Sequence, residues 1–349
     1  MTINISQINQ GIEDPNKKGK RKMTDILNDL SMRFGRVPLK EKIMFVQHLG
    51  VMLKAGISLS AALKTLSEQT GNKLFSKITK RLSENVEKGV SFADSLKPYQ
   101  RIFGELFVNM IESGELSGKL ESVLRQLFIQ IKKQHELTSK VKGALTYPVV
   151  IILAMLGIGT FMMIVVMPKI TEMLMSFNAE LPLPTKILIK ISDTVSNNGI
   201  IFGSALIVFI FLFLQALKTY RGKYYFQAVL LKLPIFSGII KKINIAKFAR
   251  TISSLLKTDI MIIKTFQITA SVLGNLHYRK AVEEMSEKIK KGEQINEVIK
   301  KYPKLFPPVV VQMTLVGEQT GELDSILSEL AEFYESEVSQ MMDNLPAII

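Results

Sequence analysis

The chain has 349 residues, a net charge of +14 at neutral pH and no cysteine. Its length exceeds that of a usual single domain, so more than one structural unit is expected. The absence of thiols excludes disulfides, cysteine metal sites and a cysteine nucleophile.

The N-terminal segment, 1–38, is polar and contains a basic cluster, formed by Lys17, Lys18, Lys20, Arg21 and Lys22. No apolar core follows this cluster, as a secretory signal would require. We therefore predict that residues 1–38 form a disordered segment that stays in the cytoplasm. Contact of the cluster with anionic lipid is the alternative.

Two long uncharged runs follow, and each is long enough to cross a bilayer as a helix. The first lies between Lys142 and Lys169 and predicts a transmembrane helix over 145–168. The second runs from Thr194 to Leu217 and predicts another over 194–217. A helix in the core of a soluble protein is the alternative for the first run. The pair is expected to form a membrane hairpin.

The distribution of charge predicts the orientation of this hairpin. The segment from Lys218 to Lys257 is rich in lysine and arginine and contains no acidic residue, and basic flanks stay in the cytoplasm. We therefore expect cytoplasmic helical domains over 39–142 and 218–349, and an external loop over 169–193. Because the positive charge lies beside the spans, the sequence does not favour nucleic-acid binding.

The sequence also repeats itself at a shift of 203 positions. The strongest match is a seven-residue motif in which glycine, glutamate, serine or threonine, glycine and leucine recur. Its members are Gly114, Glu115, Ser117, Gly118 and Leu120 in the first copy, and Gly317, Glu318, Thr320, Gly321 and Leu323 in the second. Apolar residues at helical spacing, as in Val51–Leu66, predict amphipathic helices. The predicted fold class is all-α, a polytopic membrane protein with two repeated cytoplasmic helical bundles and transmembrane helices.

Two interpretations of this motif remain open. In the first, Gly114 ends one helix and the hydroxyl of Ser117 caps the next, with Gly317 and Thr320 acting likewise. In the second, the motif contacts a partner protein directly. The same residues can do both.

The repeat predicts a further segment. Residue 349 corresponds to Thr146, directly before Tyr147 and Pro148 at the start of the first span. We therefore expect a third transmembrane helix after residue 349 in the natural chain, and a sequence truncated at this point.

Several strings resemble the platform protein family of type II secretion and type IV pilus machines, from about Pro38 to the last residue. Besides the repeated motif, they include Ala144 to Pro148 before the first span, Leu181, Pro182, Leu183, Pro184 and Thr185 before the second, Leu233 to Phe236, and Phe248 to Thr251. One departure is Asp259, at the position of Gly56 in the first copy, where the family commonly has glycine.

The resemblance implies a multi-pass inner-membrane protein with two homologous six-helix cytoplasmic domains and three spans. It implies as partners a hexameric assembly ATPase, pilin or pseudopilin subunits and other inner-membrane components. The function would be to couple the ATPase to pilin polymerisation, and we expect a homo-oligomer at the centre of such a machine.

Catalytic chemistry finds little support in the residues. His48, His135 and His277 are isolated, without carboxylates at metal-ligand spacing. Gly114 to Lys119 lacks the spacing of a phosphate-binding loop. We predict no catalytic, cofactor or metal site, and no enzyme. The alternative function is a membrane transporter or channel subunit, which uncharged spans do not favour.

Overall fold

The computed structural model describes residues 37–176, 183–197 and 199–348, which are helical and contain no β-strand. The predicted all-α fold class is therefore confirmed for this part of the chain. The chain divides into two compact units, residues 1–128 and 129–349. The boundary between them lies inside one long helix.

Unit 1 consists of short helices and the beginning of the long one. In chain order they are α1 (Leu39–Lys54), α2 (Leu59–Gln69), α3 (Lys73–Glu87), α4 (Phe92–Leu96), a 3₁₀ turn (Lys97–Tyr99), α5 (Gln100–Phe103), α6 (Glu105–Leu116) and the start of α7 (Leu120–Phe161). Polar side chains cap the N-termini of three of these helices. The side-chain oxygens of Ser58, Asn72 and Ser91 accept hydrogen bonds from backbone N–H groups in the first turns of α2, α3 and α4.

The helix predicted from Val51 to Leu66 is wrong in its extent, because the chain turns between α1 and α2. Gly56 has φ of +82° in this turn, a conformation that a residue without Cβ adopts at little cost. The apolar spacing on both sides of the turn has the same helical period, so periodicity alone does not reveal the break.

The core of unit 1 is built around four buried phenylalanines: Phe45, Phe75, Phe103 and Phe107. Their ring centroids lie 4.8 to 6.0 Å apart in edge-on or tilted pairs, the geometry that aromatic pairs prefer. These rings join α1, α3, α5 and α6 into one bundle.

Unit 2 begins with the remainder of α7 and contains all later helices. After a π-helical turn (Met162–Val166) follow α8 (Met167–Ser176), α9 (Leu183–Asn197), α10 (Gly199–Lys218), α11 (Tyr220–Leu230), α12 (Pro234–Leu256), α13 (Ile262–Val272), α14 (Leu276–Lys290), α15 (Ile295–Lys300), α16 (Pro308–Thr320) and α17 (Leu323–Ile348). Its aromatic core contains Phe248, Phe266, Tyr278 and Phe306, all buried.

Three of these four aromatic residues stand 203 positions after Phe45, Phe75 and Phe103 of unit 1. The ring of Phe306 lies 5.0 Å from Phe248 and 5.3 Å from Tyr278, close to the 6.0 and 5.8 Å of the equivalent pairs in unit 1. Asn275, which accepts the first backbone N–H bonds of α14, likewise corresponds to Asn72. The sequence shift therefore superposes structural roles as well as residue types.

Asp259, the departure from the family pattern, keeps the turn that Gly56 makes in unit 1. Its φ is +58°, a left-handed conformation that aspartate tolerates better than most residues because its short polar side chain bonds locally. The turn between α12 and α13 is thus formed without glycine.

One helical stretch among the described residues is long and apolar enough to cross a membrane. It runs through α7, the π-helical turn and most of α8, from Leu120 to Met173, and no part of its most apolar window is buried. This stretch contains the first predicted span. Over the second, α10 has 20 residues, and its apolar stretch among the described residues is Ile207–Lys218.

Candidate functional site

The glutamate of the first motif is bonded to the start of a neighbouring helix. One carboxylate oxygen of Glu115 accepts the backbone N–H of Phe92 at 2.7 Å, and the other accepts that of Ala93 at 2.9 Å. These N–H groups begin α4 and have no partner within their own helix. Glu115 therefore fixes α4 against α6.

The glutamate of the second motif makes the same arrangement. Glu318 accepts the backbone N–H of Ile295 at 2.8 Å and that of Asn296 at 3.2 Å, at the start of α15. The two donor residues and the glutamate of this arrangement each stand 203 positions after their counterparts in unit 1. Hydrogen bonds to a carboxylate are stronger than neutral ones, so each glutamate contributes to the stability of its unit.

The first glycine of each motif lies within a helix, and the prediction that it ends that helix is wrong. Gly114 is buried in α6, where an added Cβ would lie 2.8 Å from Cγ2 of Val123. At Gly317 it would lie 2.9 Å from Cα of Leu323. Each glycine therefore lets the following helix approach closely, a tertiary requirement that no local pattern reveals.

The second glycine ends the helix instead. Gly118 has φ of +70° and Gly321 has φ of +76°, the left-handed conformation that commonly follows a helix C-terminus. Leu120 and Leu323 then begin α7 and α17.

The hydroxyls of the two motifs bond backwards along the chain. Ser117 donates to the carbonyl of Ser113 at 2.8 Å, and Thr320 to that of Val316 at 2.9 Å. The predicted cap of the next helix is therefore wrong for Ser117. Thr320 comes nearer to it, because its oxygen also accepts the N–H of Glu322 at 3.4 Å.

The residue after each glutamate points outward. Leu116 is 85% exposed, and Gln319 at the equivalent position is also exposed. If the motif contacts a partner, these side chains are available for it, whereas the glutamate carboxylates are already bonded.

The residues at the predicted start of the first span lie inside α7. Tyr147 is exposed, and Pro148 is accommodated without a break in the helix. The predicted continuity from Gly118 into the first span is therefore confirmed from Leu120 to Phe161. Of the motif before the second span, Leu181 and Pro182 lie outside the described residues, while Leu183 begins α9 and Pro184 follows it, where a helix tolerates proline.

Sequence reasoning missed an ion pair of the buried Arg250 in unit 2. Arg250 donates through Nε and Nη2 to the two carboxylate oxygens of Glu335, each at 2.9 Å, and Glu332 lies 3.6 Å from Nη1. The pair joins α12 to α17. Arg250 belongs to a string noted for its family resemblance, but its partner lies far along the chain, so no spacing pattern indicates the pair.

A polar contact of Gln130 in α7 was missed for the same reason. Its side-chain amide donates to Oγ1 of Thr251 at 3.3 Å, and its carbonyl accepts from Oγ of Ser254 at 2.8 Å. All three side chains are buried, so the contact replaces the hydrogen bonds to water that these groups lose.

No metal centre is formed by the described residues, in which no three histidine, aspartate or glutamate side chains converge. His277 lies against Tyr224, with ring centroids 4.1 Å apart, and its Nε2 is 3.1 Å from the Tyr224 carbonyl oxygen. This environment is that of a packed helix residue.

A family model described as type II secretion system (T2SS), protein F, matches residues 45–168 and 248–348. The type IV pilus assembly protein PilC of Thermus thermophilus is 34% identical over 311 residues, which cover 89% of this chain and 76% of that protein.

Of two further relatives, one is named for pilus assembly and the other for type II secretion. The type IV pilus assembly protein PilC of Myxococcus xanthus is 32% identical, over 96% of this chain and 80% of its own length. The type II secretion system protein F of Aeromonas hydrophila is 29% identical, over 85% of this chain and 76% of its own length.

Proposed function

This chain belongs to the type II secretion system protein F family, and on that premise we propose that it is an inner-membrane platform protein of a type IV pilus or type II secretion machine. The observation that carries the proposal is the family match, because it covers both large helical segments and the long apolar helix. The relatives named for pilus assembly and those named for secretion match similar shares of the chain.

The proposal includes a duplicated architecture, with two homologous cytoplasmic domains. The two segments matched by the family model begin at residues 45 and 248, 203 positions apart, which is the shift found in the sequence. The paired bonds of Glu115 and Glu318 support it at the level of single hydrogen bonds. Duplication also explains why the cores of the two units have aromatic residues at equivalent positions.

The proposed topology is multi-pass, with spans over 145–168 and 194–217 and both large domains in the cytoplasm. The basic flanks support this orientation. Reporter fusions test it: alkaline phosphatase joined after residue 178 should be active, while fusions after residues 142 and 232 should be inactive. Activity of the fusion after residue 232 would contradict the second span.

The proposed mechanism is mechanical. A cytoplasmic ATPase would move the helical domains, and α7 would carry that movement into the bilayer to pilin or pseudopilin subunits. The support is the continuity of α7, whose 42 residues connect unit 1 to the apolar stretch. Since the sequence contains no nucleotide-binding loop, we propose that the chain is not an enzyme and that the ATPase supplies the work.

Pro148 offers a test of this coupling. Proline removes one backbone hydrogen bond inside a helix and bends it, so Pro148→Ala should straighten α7 and lower fibre yield or secretion several-fold, with unchanged membrane insertion. The measurement is fibre or substrate recovery normalised to the amount of inserted protein. Unchanged recovery would contradict the role of α7 in coupling.

A photo-crosslinking experiment tests the partner. The photoreactive residue belongs at Leu116 and, separately, at Gln319, because both positions are exposed whereas the neighbouring glutamates are bonded within their units. In cells with the intact operon, we expect capture of an assembly ATPase or another machine component. The control position is Met261, which is 79% exposed and lies outside the motif.

Deletion of the gene should abolish fibres or secretion, and the wild-type chain should restore them. Capture of the same proteins at Met261 as at the motif would show that the motif is no specific contact surface. Fibre formation and secretion that are unaffected by the deletion would overturn the proposed function itself.

A further inference from the structure

Equivalent faces of α1 and α12 differ in what covers them. On α12, Arg250, Thr251 and Ser254 are buried, and Ser254 is 0% exposed. The residues 203 positions earlier, Gln47, His48 and Val51, are all exposed, and Val51 is 63% exposed. The same helix face is therefore covered in unit 2 and uncovered in unit 1.

The cover on α12 comes from the second half of α7, within unit 2. Gln130 bonds to Thr251 and Ser254, near the end of α12. Further along α7, Leu137 packs in an apolar cluster with Ile239, near the start of α12. Residues later in α7 therefore contact residues earlier in α12, so the two helices run antiparallel.

The stripe of α7 that makes this contact has a counterpart on α17. Gln130 and Leu137 correspond to Phe333 and Gln340, which are both exposed, and Phe333 is 54% exposed. Ser336 lies between them and is exposed as well. The α7 stripe and the α12 face contact each other within unit 2. Their equivalents, the α17 stripe and the α1 face, are both exposed.

The α1 face contains a groove suited to an aromatic side chain. This groove has a volume of about 350 Å³ and runs between α1 and the start of α7, inside unit 1. Its apolar lining is formed by Val46, Gly50, Val51, Leu124 and Phe128. An exposed phenylalanine on a partner helix could bury its ring there, as aromatic anchors do in protein interfaces.

The charges at the groove and on the stripe are complementary. Lys54 and Arg125 lie at the groove with one carboxylate, that of Glu121. One helical turn before Phe333, the α17 stripe carries the exposed Glu329, whereas Glu332 already lies 3.6 Å from Arg250 of its own unit. Such complementarity favours one orientation of the partner over the reverse.

We propose that the α17 stripe of one copy docks antiparallel into the α1 groove of a second copy, with Phe333 over Val51. The register follows from the contact already formed, in which Gln130 meets Ser254. One helical turn before Phe333, Glu329 then meets Lys54, one turn after Val51. The inference rests on the duplication and on the homo-oligomer expected under the proposed function.

This interface joins two different surfaces, so every copy offers one stripe and one groove. Such heterologous contacts close into a ring or continue as a filament. Repeated contacts of this kind would place the α7 helices of neighbouring copies in equivalent environments.

The absence of cysteine from the chain makes a direct test simple. Two differently tagged full-length chains, one Val51→Cys and one Phe333→Cys, are co-expressed, and membranes are mildly oxidised. A disulfide forms only when the two Cα atoms lie within about 7 Å. We expect a disulfide-linked pair that contains both tags.

Two controls frame the result. Gln130→Cys with Ser254→Cys in one chain is the equivalent pair within unit 2 and should form an intrachain disulfide. Glu287→Cys, exposed on α14 away from the stripe, should not pair with Val51→Cys. The proposal would be overturned if the intrachain control forms its disulfide and Val51→Cys does not pair with Phe333→Cys. It would also be overturned if these two cysteines pair only when both are placed in the same chain.

Self-association supplies a second readout. Phe333→Glu should weaken the association of detergent-solubilised chains by roughly 10- to 100-fold, the scale of a lost interface anchor. Met261→Glu, a matched change at another exposed apolar residue, should leave it unchanged. Glu329→Lys should also weaken association, and Lys54→Glu should restore it.

Equal effects of Phe333→Glu and Met261→Glu would overturn the proposed docking. The crosslink reports on docking alone, and fibre or secretion assays report on the proposed function alone. If the crosslink forms in membranes while deletion of the gene leaves fibres and secretion intact, the docking stands and the function fails. If deletion abolishes them and no crosslink forms, the function stands and the docking fails.

Discussion

Equivalent carbonyl groups in the two units receive hydrogen bonds from different side chains. In unit 1, Nζ of Lys42 donates to the carbonyl of Ile102. In unit 2, the hydroxyl of Tyr278 donates to the carbonyl of Leu305 at 2.6 Å. Ile102 and Leu305 correspond at the shift of 203 positions, but their donors come from different helices.

Each donor is replaced by an apolar residue in the other unit. Lys42 corresponds to Ile245, and Tyr278 corresponds to Phe75, both fully buried. A buried carbonyl without a partner costs about 1–3 kcal/mol, so each bundle supplies a donor from whichever position carries one. The comparison teaches that the two bundles preserve the need for a hydrogen bond and not the residue that makes it.

The largest effect on stability is expected at the motif glutamates, which make the same hydrogen bonds in both units. Glu115→Ala and Glu318→Ala each remove two hydrogen bonds to a charged group, and each should lower the free energy of unfolding by about 3 kcal/mol. Thermal unfolding of the full chain in detergent measures the loss, and amide exchange should rise at Phe92 and Ala93 or at Ile295 and Asn296.

The control for this prediction is Glu112→Ala on the same helix as Glu115. The side chain of Glu112 is 43% exposed and lies 3.5 Å from Lys97, so its loss should cost less than about 1 kcal/mol. An equal cost for Glu112 and Glu115 would show that the bonds to α4 do not stabilise unit 1.

The next effect concerns the close helix approach at the first glycine of each motif. Gly114→Ala and Gly317→Ala place a Cβ within 3.0 Å of the following helix, so each should destabilise by about 1–3 kcal/mol. Gly143→Ala is the matched control, because an added Cβ meets nothing within 4 Å. Alanine there should stabilise the helix by up to about 1 kcal/mol, and destabilisation by all three changes would contradict the packing argument.

A smaller effect is expected from exchanging the carbonyl donors. Lys42→Ile should cost about 1–2 kcal/mol because the Ile102 carbonyl loses its donor. Adding Phe75→Tyr should recover much of the loss by supplying the hydroxyl that unit 2 uses. Unfolding measurements on the single and double variants decide the matter, and a double variant no more stable than Lys42→Ile would refute the equivalence.

The pH dependence separates the two donors. Burial lowers the pKa of Lys42 below its ordinary 10.5, so stability should rise as the pH approaches that value from below and the desolvated charge is lost. Burial raises the pKa of Tyr278 above its ordinary 10.0, so its contribution is complete below that pH and is lost as the pH rises further. Lys42→Ile should reduce the first slope, to which the buried Lys247 also contributes because its pKa is lowered too. Tyr278→Phe should reduce the second, to which Tyr302 and Tyr334 also contribute because their pKa values are raised too.

The smallest effect is expected at the turn where the units differ in backbone chemistry. Gly56→Asp introduces a Cβ at positive φ and should cost about 0.5–1 kcal/mol, while Asp259→Gly should gain less than that, because it also removes the interactions of Asp259. Unfolding of both variants measures this reciprocity. A loss of more than about 1 kcal/mol on Asp259→Gly would show that contacts of the carboxylate, and not the backbone alone, hold the second turn.

Much of the fold could be predicted from short-range patterns. The helical class and the continuity of α7 through Pro148 follow from periodicity and from an uncharged run, which are properties of neighbouring residues. The shift of 203 positions also identifies equivalent side chains, such as Glu115 and Glu318. The candidate site was thus found by repetition and not by chemistry.

The roles within the motif could not be predicted in the same way. Gly114 and Gly118 are both glycines near a helix end, yet one serves close packing and the other a left-handed turn. Local sequence does not distinguish them, because the neighbour of Gly114 is Val123 on the next helix. The same limit applies to Arg250 and Glu335, whose bond depends on how α12 and α17 meet.

By itself, the sequence determined the helical class, the repeat and its register, because composition, periodicity and self-similarity are written along the chain. Only the tertiary structure decided that the motif glutamates start α4 and α15, that Lys42 replaces Tyr278 as a donor, and that the α1 face is left uncovered. These features depend on which groups folding brings within hydrogen-bonding or packing distance, and residues far apart in sequence meet only when the helices pack.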